Sequence, residues 1–197
     1  MPRLSALKPP FEPSVDKLLG AMMPPGVPPI GLFRTMVRNL PMTAAMYGFG
    51  AYELSRRLTV SLREREIIIL RTCAGCRAEY EWGVHVGVFG RRAGLTGEQI
   101  TALTLGQVGN EGWTAREELL IRLVDAMLAT RDVPDDLWAD LKSQFRDVEL
   151  LDVLTLCGWY QAISQLCRAL RVDLEASAPR FDDYASVPLR ARVESDG

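Results

Sequence analysis

The chain has 197 residues, of which 48% are apolar and 24% charged, and its formal net charge is −2. That length and apolar share suit one globular domain with a sizeable core. Acids and bases are interspersed, which excludes a polybasic nucleic-acid footprint, and no apolar run approaches the ~18 residues needed to span a bilayer.

In chain order, residues 1–30 come first and are rich in proline: Pro9, Pro10, Pro13, Pro24, Pro25, Pro28 and Pro29. They read as an extended N-terminal arm with a short helix near Ser14–Met22, lying on the domain or on a neighbouring subunit. The segment lacks the long apolar core of a signal peptide, and four cysteines do not make a disulfide framework at this length. A soluble, cytoplasmic protein with reduced thiols is therefore expected.

Nearly every later segment reads as helix. Gly31–Asn39 and Met42–Arg57 carry apolar residues at mixed spacings of 3 and 4, with Pro41 suited to a helix start. Ser61-Leu62-Arg63-Glu64 is a capping-box pattern that opens Leu62–Thr72. Ile67–Leu70 favours strand locally, but inside this capped stretch it reads as buried helix. Cys73-Ala74-Gly75-Cys76 reads as a break, followed by a helix from about Arg77 to Ala93 that Gly94 stops.

Thr96-Gly97-Glu98-Gln99 and Thr114-Ala115-Arg116-Glu117 are further capping boxes, the second opening a helix that runs over Glu118–Thr130. Pro134 opens Asp135–Phe145. The last helix, Val148–Leu170, is apolar on most of its surface, which makes it central or an interface element. The polar tail, residues 176–197, is expected on the surface.

Chemistry concentrates around His85, the only histidine. Its side chain is the one whose ordinary pKa lies near neutrality. Glu81 precedes it by four residues and shares its helix face. The two form either a proton-relay pair or a structural arrangement in which Glu81 binds Arg77 and His85 is merely an interior histidine. Glu66 adjoins the apolar run and is either an inward carboxylate with a raised pKa or a partner for Arg63 or Arg71. Glu64 and Arg65 look like a solvated face. Tyr80 and Trp82 flank Glu81 as pocket walls or as core.

Cys73 and Cys76 form a CxxC, but Cys73 ends one helix, so the first thiol does not sit where a helix N-terminus would activate it. Cys157 and Cys167 read as small core hydrophobes. No metal site is expected from one histidine and scattered carboxylates.

The runs Glu66-Ile67-Ile68-Ile69-Leu70-Arg71, Ala78-Glu79-Tyr80-Glu81-Trp82-x-x-His85 and Arg91-Arg92-Ala93-Gly94-Leu95-Thr96, with Gly158-x-Tyr160 later, resemble the carboxymuconolactone decarboxylase family. Alkyl hydroperoxide reductase D-type (AhpD-like) proteins belong to the same superfamily. The resemblance covers roughly residues 30–175, the domain being set at 31–175. It implies an all-α, AhpD-like fold and a homo-oligomer, commonly a trimer or hexamer, with a dimer as a further option.

Peroxidase-type members of the superfamily carry Glu, Cys-x-x-Cys and His. In that register the cysteines fall on Ala78 and Glu81, so both redox thiols are replaced. The Tyr-Glu-Trp-x-x-His version resembles the decarboxylase type. It implies a cofactor-free carboxy-lyase acting on a small organic acid or lactone from aromatic catabolism. His85 would be the general acid, Glu81 and Glu66 would orient it, and Arg71 or Arg63 would hold substrate carboxylates with Tyr80 and Trp82 as pocket residues. Two other functions compete: an AhpD-like peroxidase or disulfide oxidoreductase (peroxiredoxin activity) using Cys73 and Cys76, and a non-enzymatic oligomeric binding protein.

Overall fold

The computed structural model describes residues 1–106, 109 and 112–185. In chain order the helices are α1 (Pro13–Met22), α2 (Gly31–Met36), α3 (Leu40–Glu53), α4 (Leu62–Gly75), α5 (Glu79–His85), α6 (Gly97–Leu105), α7 (Ala115–Thr130), α8 (Asp135–Gln144), α9 (Asp147–Leu170) and α10 (Phe181–Ala185). A π-helical turn, Val86–Gly90, continues α5. The described residues contain no strand. The expected tail is described only as far as residue 185; from 186 onward it lies outside the described residues.

Helix α4 is the axis of the fold and packs against α5, α6, α7 and α9. Ser61 starts it with a complete capping box: its hydroxyl accepts from Glu64 N (3.2 Å), while Ser61 N donates to the Glu64 carboxylate (2.8 Å). Ile67–Leu70 have 0% exposure. Neighbours on all sides supply the burial that overrides the local strand preference of three isoleucines. The last helix was expected to be central or interfacial, and α4 holds the central place. Helix α9 buries one side and leaves Val148 and Leu151 exposed on the other.

The break falls later than the sequence suggests. Cys73, Ala74 and Gly75 remain helical and Cys76 is the C-cap. The reversal occurs at Arg77, which takes a positive φ of 56°. Ala78 N then donates to Cys73 O and Arg77 N to Ala74 O, both at 2.8 Å. This is the double hydrogen bond of a Schellman cap, built here without glycine. The boxes at Thr96/Gln99 and Thr114/Glu117 form as their sequences suggest.

The arm lies on the domain. Arg3 N donates to Leu170 O and Leu7 N to Arg34 O. Val15 and Leu19 of α1 bury against Val37 in a small cluster of their own. At the other end of the chain, Pro179 crosses α5 so closely that a Cβ on Gly83 would lie 2.5 Å from its carbonyl oxygen. Glycine at that position lets the tail pass.

One buried acid stands apart. Glu53, at the end of α3, has 0% exposure, and neither carboxyl oxygen has a hydrogen-bond partner. Burial first, and then the nearby Asp152 charge, push its pKa up to about 7. Asp152 moves the other way despite burial, because Thr59 and Tyr52 donate to it. Glu53 keeps its proton in the folded state after the unfolded chain has lost it, so its contribution to stability is lost as pH rises from about 4.5 to about 7. Urea-unfolding midpoints across that window should fall for the parent protein, and Glu53→Gln should remove most of the slope.

Candidate functional site

The site is built where α4 meets α5. Glu66 points into this contact with 0% exposure. On one side, Arg65 Nε (2.8 Å) and Nη2 (2.7 Å) meet its Oε1. On the other, His85 Nδ1 lies 2.8 Å from its Oε2. The second ring nitrogen, Nε2, lies 3.5 Å from Glu81 Oε1, one helical turn back on α5. A row of charges results: Arg65, Glu66, His85, Glu81. Glu81 Oε2, at the end of the row, is buried without a partner.

His85 is 3% exposed. Burial alone would lower its pKa, but Glu66 and Glu81 outweigh it and raise the pKa to about 9. The ring is therefore an imidazolium at neutral pH, with an N–H directed at each carboxylate. Tyr160 stands edge-on to it at 5.0 Å, and Phe89 lies at 5.3 Å. Phe89 also carries the Arg65 guanidinium on its ring, at 4.8 Å. It sits in the π-helical turn, which widens the helix directly after His85; such turns recur at functional sites.

Above this floor lies a cavity of about 410 Å³. Glu81, Val84, His85, Val88 and Phe89 line it from α5 and its continuation, at helical spacings of 3 and 4. Met46, Tyr47, Gly50, Ala51 and Leu54 come from α3 and its end, and Trp159, Tyr160 and Ile163 from α9. The roof is the arm, from Ala21 to Pro24, held by Tyr47 donating to Ala21 O at 3.0 Å. Among the described residues that line the cavity, none is Lys or Arg.

Glu66, Glu81 and His85 thus converge, while the other sequence candidates lie elsewhere. Arg63 is not at the cavity: it binds Glu117, Gly94 O and Gln99. Arg71 binds Asp125 and Leu103 O. Neither pairs with Glu66, whose partner is Arg65, and Arg65 is buried rather than part of a solvated face. Tyr80 accepts from Leu32 N and donates to Glu175, tying α2 to the tail. Trp82 is core, packed on Phe181 and Tyr184 of α10.

Cys73 is buried and Cys76 half-buried, and both thiols are free. Burial pushes both thiol pKa values up. Among the described residues no group of three His, Cys, Asp or Glu side chains is placed to hold a metal ion.

Sequence reasoning missed Arg65, Phe89 and the cavity walls. Val84, Val88 and Phe89 follow Glu81 at positions i+3, i+7 and i+8, so helical spacing alone could have found them.

The sequence model of the carboxymuconolactone decarboxylase family matches residues 41–125. Among solved structures, an uncharacterised peroxidase-related protein from Silicibacter sp. TM1040 is similar with a TM-score of 0.74 at 15% identity, over 92% of this chain and 94% of its own. Another peroxidase-related protein, described as an alkylhydroperoxidase AhpD core, from Ralstonia eutropha JMP134, gives 0.74 at 12% identity, over 92% and 95%. The apo form of the debrominase Bmp8 gives 0.67 at 13% identity, over 88% and 92%. No curated protein matches the sequence. At these identities the solved structures speak for a shared helical fold alone, and residues 41–125 are similar to the carboxymuconolactone decarboxylase family.

Proposed function

We propose that this chain is an enzyme that transfers protons to and from carbon in a small organic molecule, in the manner of a decarboxylase. The observation that carries this reading is Glu81 Oε2, which is buried and unpartnered on a residue that lines the cavity, with a charged imidazole behind its other oxygen. Glu81 is the group that touches the substrate. His85 is its proton reservoir, and Glu66 with Arg65 fixes the imidazole ring.

In a decarboxylation the bond from carbon to carboxylate breaks and carbon dioxide leaves, with the electron pair remaining on carbon. The Glu81–His85 pair delivers one proton there, which leaves the imidazole neutral until water recharges it. Contacts of this length, 3.5 Å, commonly shorten when substrate binds. No step requires a cofactor. A homo-oligomer remains part of the reading, supported by apolar Met42, Phe49, Val148 and Leu151, which stay exposed on a single chain.

A dithiol peroxidase finds less support. Cys73 and Cys76 lie at the C-terminal end of α4, where the helix dipole opposes a thiolate, and burial opposes it further.

Carbon dioxide release from a panel of β-keto and unsaturated acids tests the proposal. Glu81→Gln and His85→Gln should each lose about 10²–10⁴-fold in turnover. Arg63→Ala and Arg71→Ala should retain it; collapse in either arginine variant, with intact glutamate and histidine variants, contradicts the assignment. Thiol alkylation after peroxide treatment should still label Cys73 and Cys76 in the unfolded chain.

A further inference from the structure

The cavity walls also say what kind of molecule fits. In the row Arg65–Glu66–His85–Glu81 each basic group is already held by a carboxylate, so the floor offers no uncommitted cation among the described residues. Arg65, at the far end of the row, does not line the cavity. It is committed to Glu66 and Leu54 O, and it stacks on Phe89. The remaining walls are aliphatic, aromatic or methionine side chains. Four methionines, Met22, Met23, Met36 and Met46, line the space and adapt to the shape they enclose. A volume of about 410 Å³ lies toward the lower end of the range for small-molecule sites.

Building on the proton-transfer reading, we infer that the substrate is an apolar keto acid whose only charge is the carboxylate it loses, and whose product is a neutral ketone. Among the described residues, a carboxylate retained through the reaction would be stripped of water here without a counter-ion in the lining. A carboxylate that departs as carbon dioxide carries that cost only until the bond breaks. The reacting end must face an acceptor, Glu81 Oε2, and a hydroxyl donor, Tyr160. Burial and the carboxylates of Glu81 and Glu66 push the Tyr160 pKa up, so its phenol keeps its proton. A carbonyl oxygen beside an acidic C–H satisfies both groups. This class differs from the polycarboxylated lactone that the family name suggests. Much of the wall that excludes charge comes from the arm and from α9, outside the stretch that matches the family.

The test uses the full chain and two probes of similar size, β-tetralone as a neutral bicyclic ketone and isophthalate as a dicarboxylate. Dissociation constants come from calorimetry and from the single imidazole signal. β-Tetralone should bind at least about tenfold more tightly than isophthalate, and Ala51→Trp, a rim substitution at an exposed position that plugs the cavity, should abolish its binding without moving the free protein's imidazole signal. No saturable binding of β-tetralone, or isophthalate binding as well or better, overturns the inference. Deuterium exchange at the acidic carbon of bound β-tetralone is read separately. Binding without Glu81-dependent exchange would sink the proton-transfer reading and leave the ligand class standing.

Discussion

The structure depends on a carboxylate in the middle of a helical core. Glu66 has no exposure, and its two oxygens are held from opposite sides by Arg65 and His85. A buried charge is tolerated only when paired, and removing one partner typically costs about 3–5 kcal/mol. The register of α5 against α4 is therefore set by chemistry as well as by packing. The same pairing raises the pKa of His85, and in the proposed function a charged His85 gives Glu81 a proton to exchange.

Around this polar row the molecule is apolar. Ile67–Leu70 fill the space behind it, and the cavity before it is walled by α2, α3, α9 and the arm. Apolar side chains flank the row on both sides, so the two carboxylates act on the imidazole in a medium of lower dielectric than bulk water. The arm contributes to this: Ala21–Pro24, in a proline-rich segment that cannot form a core of its own, roofs the cavity.

Much of this was legible in the sequence, and the exceptions have physical reasons. Three capping boxes placed the starts of α4, α6 and α7, because the N-cap and N3 side chains are local signals. Glu66 could be read as inward-facing from the apolar run that follows it. Arg65 could not, since residues one apart do not share a helix face and the pairing depends on how its long side chain folds back. Tyr80 and Trp82 were drawn to the site by adjacency to Glu81, yet a turn of about 100° per residue points them away from the cavity. Arg63 and Arg71 had good acceptors elsewhere, in Glu117 and Asp125, which only the tertiary fold brings near. The C-cap at Arg77 was hidden because a non-glycine residue takes the left-handed conformation there.

The central claim is that His85 is held as an imidazolium between two carboxylates. With one histidine in the chain, its ring gives a single, unambiguous set of NMR signals. Titration of its carbon and nitrogen shifts should show both ring nitrogens protonated at pH 7 and an apparent pKa of about 9. In a folded Glu66→Gln variant the value should fall, since the first of the two raising carboxylates is gone. An imidazole that titrates at or below 6.5 in the parent protein, or is indifferent to Glu66, would contradict the account.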